Sequence, residues 1–242
     1  MSIVNQSEPT VSAISDRTRP GVNHIDVTAP NGPIKLNIPT KPVPYHTVKR
    51  LMDILVSSCA MVLFSPLFVG TFLAVRLTSK GGAIFKQKRV GLGGKEFMCL
   101  KYRSMVTDAE ELKQKLAHLN EASGPVFKMK EDPRITSVGR WIRRWSFDEL
   151  PQLWNVFIGD MSIVGPRPPV PDEVAKYNQR QCGRLAVRPG ITCLWQIMGR
   201  CNIGFDEWIE LDLKYIETMS FWGDVMIVLK TIPAVIKGTG AH

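Results

Sequence analysis

The chain has 242 residues, 44% of them hydrophobic and 22% charged, enough for one packed domain with appendages. A formal charge of +9 and a pI near 9.4 exclude an acidic surface and favour anionic partners: nucleic acid, anionic lipid or phosphorylated small molecules. Five cysteines (Cys59, Cys99, Cys182, Cys193, Cys201) form no CxxC pair, which argues against a disulfide scaffold or structural zinc site and leaves buried or spare thiols.

Residues 1–46 hold Pro9, Pro20, Pro30, Pro33, Pro39, Pro42 and Pro44 among many Ser, Thr and Asn, and read as a disordered N-terminal tail. No charged stretch followed at once by an apolar one starts at Met1, so a cleaved secretory signal is not expected. Ile54 to Val75 are 22 consecutive uncharged, mostly apolar residues. As a helix they would reach about 33 Å, against a bilayer core of about 30 Å. Ser65-Pro66 sits at the centre, where proline removes the hydrogen bond to the Val62 carbonyl and forces a kink. Lys49 and Arg50 precede the run and Arg76, Lys80, Lys86, Lys88 and Arg89 follow it, so both ends favour the cytosolic side. A segment that enters and leaves by one face satisfies both observations.

The stretches 83–90 and 95–105 flank Gly91-Leu92-Gly93-Gly94 and predict a small β-hairpin. A polar helix is expected near Asp108 to Glu121. Ile135, Val138, Trp141, Ile142 and Trp145 recur at helical spacing with Arg134, Arg140, Arg143 and Arg144 mainly between them, the pattern of a basic interfacial helix. Ser146 and Glu149 match a capping box, which would start a helix with Leu150, Leu153, Trp154 and Phe157 as its apolar face. Asp148 and Glu149 would then lie in its first turn, where free N–H groups draw phosphate and keep a carboxylate ionised. One carboxylate would attack phosphorus while the other holds Mg2+, a metal that takes few protein carboxylates. Arg167, between Pro166 and Pro168, and Lys101 and Arg103 are candidate phosphate ligands. Phe221, Trp222, Val225, Leu229, Ile232 and Ile236 form a last apolar stripe.

The blocks KYRSM (101–105), Asp132-Pro133-Arg134 through RWSFDELPQLWNV, GDMSIVGPRP (159–168) and RPGITCLWQIMGR (188–200) together resemble the bacterial sugar transferases. These monotopic phosphoglycosyl transferases are also called polyprenyl-phosphate hexose-1-phosphate transferases. The resemblance implies that Asp148 attacks the sugar-bearing phosphorus of a UDP-sugar and releases UMP, that Glu149 binds magnesium, and that Arg143, Arg167, Lys101 and Arg103 serve the phosphates. Undecaprenyl phosphate would then take the phosphosugar from Asp148, in exopolysaccharide or other surface-glycan synthesis. A hexose such as glucose or galactose is favoured over an acetamido sugar. Cys193, Met198 to Cys201 and Phe147 depart from the family's commoner residues.

The expected fold is α+β and mostly helical: a membrane-embedded re-entrant helix broken at Ser65-Pro66 (47–78), then a cytosolic catalytic domain (79–242) with a small hairpin and several interfacial amphipathic helices. It would lie on the cytoplasmic face of a bacterial inner membrane, with the bilayer as partner, no nucleic acid, and a homodimer left open. The alternative is a basic membrane-bound adaptor or nucleic-acid-binding protein, which net charge alone supports. Asp-x-Asp, GxGxxG and GxxxxGK[ST] are absent, against other nucleotide-sugar and nucleotide sites.

Overall fold

The structure, a computed structural model, describes residues 22–29, 32–39, 43–198 and 203–236. Among these the chain is mostly helical with small sheets, as α+β composition predicted. Strands β1 (Val22–Ala29) and β2 (Gly32–Pro39) form an antiparallel hairpin inside the segment read as a tail. The reason is period-two alternation: Ile25 faces Leu36 in the register and Val27 faces Ile34. Residues 1–21 lie outside the described residues.

Helices α1 (Val43–Leu63) and α2 (Ser65–Thr78) meet at a 65° bend. Pro66 at the start of α2 has no N–H to offer the Val62 carbonyl, while Phe64 and Phe68 keep their bonds to Ala60 and Phe64. Neither arm alone is long and apolar enough to cross a membrane; the bent pair is, by length and composition. Toward the rest of the chain α1 buries Asp53 and Ser57, and α2 buries Thr71 and Val75. Asp53 is buried and accepts from Ser162 Oγ at 3.0 Å and the Ile163 N–H at 2.9 Å. The opposite side presents Leu51, Leu55, Val62, Leu63, Val69 and Leu77 to the surroundings.

The predicted hairpin forms as β3 (Ile84–Val90) and β4 (Glu96–Tyr102). The expected polar helix is shorter, α3 (Ala109–Lys115) plus one 3-10 turn at Ala117–Leu119. Helix α4 (Ser137–Arg144) is capped by Thr136 Oγ1, which accepts the Gly139 N–H at 2.9 Å. A Cβ at Gly139 would meet the Ser104 carbonyl oxygen, so only glycine lets α4 press against the chain leaving β4. The stripe on α4 divides: Ile142 is wholly buried with Val75, Ala83 and Tyr102, whereas Trp141 is exposed.

The capping box at Ser146 does not form. Ser146 is left-handed (φ 56°) and its N–H closes α4 on the Arg143 carbonyl, so it ends one helix and does not start another. A single 3-10 turn, Phe147–Glu149, carries the two carboxylates, and α5 (Gln152–Ile158) begins only after Pro151. Leu153 is buried, but Trp154 and Phe157, expected on the same face, are exposed. Gly159 in the left-handed region closes α5, and Arg50 donates to the Val156 and Phe157 carbonyls there.

Strand β5 (Ser162–Val164) runs parallel to β6 (Gly190–Thr192), with α6 (Pro171–Val174) and α7 (Gln179–Cys182) between them. Helices α8 (Leu194–Met198), α9 (Phe205–Thr218) and α10 (Phe221–Ile236) follow. Helix α10 buries Asp224 and Ile227 and exposes Trp222, Met226, Leu229 and Ile232. Lys49 fastens α1 to it, with Nζ donating to Asp224 Oδ2 at 2.7 Å and to the Val164 carbonyl at 3.0 Å. The main core joins Phe97 and Cys99 of β4 to Leu153 and Val156 of α5, Val164 of β5, and Trp208, Ile209 and Ile216 of α9. Cys99, Cys182 and Cys193 are free and buried.

Candidate active site

Asp148 and Glu149 sit on the 3-10 turn between α4 and α5, facing β4. Asp148 is 8% exposed. Burial and the neighbouring Glu149 charge push its carboxyl up to about 6, against the pull of Lys101 and Arg143. Burial works on Glu149 in the same direction, but Lys101, Arg167 and Arg143 outweigh it and hold Glu149 below the usual glutamate range. Lys101 Nζ donates to Glu149 Oε1 at 2.8 Å. Adjacent carboxylates are thus driven apart, one basic and buried, the other ionised and paired, the arrangement found where two acids divide a reaction between them.

The third cation comes from the loop after β5, where the four carbonyls from Pro166 to Pro169 are each held. Gly190 N–H donates to Pro166 O at 2.8 Å, Arg184 Nη2 to Arg167 O at 3.0 Å, Arg89 Nη1 to Pro168 O at 2.7 Å, and Val90 N–H to Pro169 O at 2.9 Å. Gly165 and Gly190 allow this, because a Cβ on either would strike the other segment's backbone. With its backbone pinned, Arg167 lays its guanidinium 5.2 Å from the Trp208 ring centroid, and Arg184 lies against the same ring at 5.1 Å. Arg184 is wholly buried, paired with Asp212 and bonded to the Tyr177 hydroxyl.

Of the six residues singled out in the sequence, the structure gathers Asp148, Glu149 and Lys101 into direct or adjacent contact, and Arg143 and Arg167 act electrostatically on the pair. Arg103 points elsewhere. Strand β4 ends at Tyr102, the Arg103 N–H closes on the Ala83 carbonyl, and Nε donates to Gly82 O at 2.8 Å with the guanidinium over Phe85. Arg89 and Arg184 escaped the sequence reading as site components. Arg89 looked like one of several flanking cations; its partner is 79 residues away. Among the described residues no group of three or more His, Cys, Asp and Glu side chains is arranged to hold a metal ion. A magnesium ion, which binds through one or two carboxylates and completes its shell with phosphate and water, fits the Asp148-Glu149 pair, since the Glu149 side chain is 29% exposed.

The bacterial sugar transferase family profile matches residues 44–238. The chain is 48% identical over 195 residues to the galactosyl transferase CpsE of Streptococcus agalactiae, covering 80% of this chain and 43% of that protein. It is 39% identical to the exopolysaccharide production protein ExoY of Rhizobium meliloti, over 80% of this chain and 88% of that one. It is 38% identical to the UDP-glucose:undecaprenyl-phosphate glucose-1-phosphate transferase of Caulobacter vibrioides, over 84% of this chain and 76% of that one. Against the first of these relatives the chain spans under half the length.

Proposed function

Because the chain belongs to the bacterial sugar transferase family, we propose that it transfers a sugar 1-phosphate from a UDP-sugar to undecaprenyl phosphate, an early membrane step in exopolysaccharide or other surface-glycan synthesis. The observation that carries this is the polarised Asp148-Glu149 pair, with Lys101 bonded to it and Arg143 and Arg167 acting on it. Asp148, with its carboxyl near 6, is mostly ionised at neutral pH yet more basic than a solvated aspartate, which suits a nucleophile. One of its oxygens forms a bond to the sugar-bearing phosphorus. The bond from that phosphorus to the bridging oxygen breaks, UMP departs with the electron pair, and the phosphosugar remains on Asp148 as an acyl phosphate. A phosphate oxygen of undecaprenyl phosphate then attacks the same phosphorus, the Asp148 carboxylate leaves, and the lipid diphosphate sugar is released.

Lys101, Arg143 and Arg167 offset phosphate charge during both displacements. Glu149 would hold magnesium, which when bound supplies positive charge beside the phosphates. Relatives named for galactose, glucose and N-acetylgalactosamine transfer match at similar identity, so a panel of UDP-sugars decides between a hexose and an acetamido sugar.

The lipid acceptor fits the rest of the molecule. The outer faces of α1 and α2 expose apolar side chains, and so do Trp141, Trp154, Phe157, Trp222, Leu229 and Ile232, which suits a lipid surface. The bent pair enters and leaves by the cytoplasmic face of the inner membrane, and the aromatic residues rest at the interface.

The test incubates membranes holding the protein with UDP-sugar labelled in the sugar and follows UMP release and label bound to protein. Asp148→Asn should abolish both; normal turnover in that variant sinks the proposal. Glu149→Gln should lose about two orders of magnitude of turnover, poorly restored by added magnesium. A wild-type magnesium titration would exclude its metal role. A cysteine placed at Lys41 should react with an impermeant thiol reagent from the cytosolic side only.

A further inference from the structure

The polar side of α5 continues beyond the carboxylate pair. Leu150 and Pro151 keep right-handed helical dihedrals, and Asn155, six residues after Glu149, reaches β4 as Glu149 does. Asn155 is 1% exposed. Its Nδ2 donates to the Met98 carbonyl at 2.8 Å and its Oδ1 accepts the Leu100 N–H at 3.0 Å. The same Nδ2 lies 3.4 Å from Asp160 Oδ2.

Among the described residues β4 pairs with β3 along one edge only, so the groups on its other edge need partners once α5 covers them. In a parallel ladder one residue accepts the N–H on one side of its neighbour and donates to the carbonyl on the other. The Asn155 carboxamide does both about Cys99, and so stands in for one residue of a third strand.

Register has a direct consequence here. Alternation along β4 puts Phe97, Cys99 and Lys101 on the face turned to the core, and a one-residue slip would carry Lys101 to the opposite face. Lys101 follows directly after the residue that Asn155 holds. We propose that Asn155 is a positioning residue, whose carboxamide locks the free edge of β4 so that Lys101 meets Glu149. Its influence on the reaction passes wholly through that ion pair. The functional meaning rests on the transferase reading above; the placement of Lys101 does not.

The experiment therefore has one arm without substrate. The full chain in lipid nanodiscs is reductively methylated to low extent, and Lys101 is compared by mass spectrometry with exposed Lys88. Asn155→Ala and Asn155→Thr should raise Lys101 labelling about threefold, the worth of a half-exposed ion pair, and Glu149→Gln should do the same. Unchanged Lys101 labelling in a variant that retains a cooperative thermal transition overturns the proposal. Should the Ala variant fail to fold, the Thr variant, closer to Asn in volume, decides.

The second arm measures turnover in a cycle with Lys101→Met. Asn155→Thr should lower turnover about tenfold in the wild-type background and less than about twofold beside Lys101→Met. Equal factors in both backgrounds would mean a merely structural residue and overturn the proposal. If no variant or wild type turns over UDP-sugar, the transferase reading fails while the labelling arm still judges Asn155.

Discussion

Replacing Asp148 by Asn should make the protein more stable as it makes it inactive, and only above acidic pH. Burial and the Glu149 charge raise the Asp148 carboxyl from 3.8 to about 6, so the folded chain holds that proton more tightly than the unfolded one. The stabilisation this confers is fully present below the unfolded value, fades as pH rises through about 6, and is gone by pH 8. A gap of about two units is worth about 3 kcal/mol. Glu149 shares Lys101 and Arg143 with Asp148 and relaxes when its neighbour is neutral, so about half of that is expected to appear.

At pH 8 the Asn variant should therefore unfold later by about 1.5 kcal/mol, or about 3 to 6 °C in Tm for a chain of this size. At pH 4.5 the difference should shrink to about a third, because wild-type Asp148 is then mostly protonated when folded. Thermal unfolding in nanodiscs with EDTA at the two pH values makes the comparison. An Asn variant that melts at or below wild type at pH 8, or an advantage independent of pH, would refute the claim that this carboxylate is held at a cost to stability.

Two further outcomes follow from buried contacts and exposed rings. Arg184→Met strips Asp212 of its ion pair, frees the Arg167 carbonyl and should cost about 3 kcal/mol or more, read as a lower Tm, with kcat/KM falling as Arg167 loosens; wild-type values of both would contradict the loop clamp. Among single-tryptophan variants in vesicles, fluorescence from Trp222, 74% exposed, should be quenched by brominated lipid while that from buried Trp208 is not; equal quenching would remove the case for an α10 interface.

Much of the fold was legible because its signals are local. The hairpin β3–β4 follows from alternation around Gly91–Gly94, and the bend follows from proline's missing N–H at Pro66, which no tertiary contact can restore. The hairpin at 22–39 carried an equally local signal, hidden by the prolines around it. The capping box failed for a competitive reason: Ser146 has one N–H, and the end of α4 uses it. Amphipathic spacing on α4 and α5 located apolar residues correctly but could not say which would turn outward, since Trp141, Trp154 and Phe157 satisfy the same helical period as Ile142 and Leu153.

For the candidate site, the sequence by itself supplied the chemical groups proposed. The acids, the lysine on its strand and the arginine between two prolines lie in short motifs whose residue types alone suit phosphate. Only the tertiary structure decided how they work together. Arg103 turns to the Gly82 carbonyl because β4 ends one residue before it, and Arg89 and Arg184 grip loop carbonyls 79 and 17 residues away. The difference between Asp148 and Glu149, next to each other in the chain, comes from burial and from the positions of Lys101, Arg143 and Arg167. A carboxylate's basicity depends on the water it loses and the charges it meets, and both are set by residues distant in sequence.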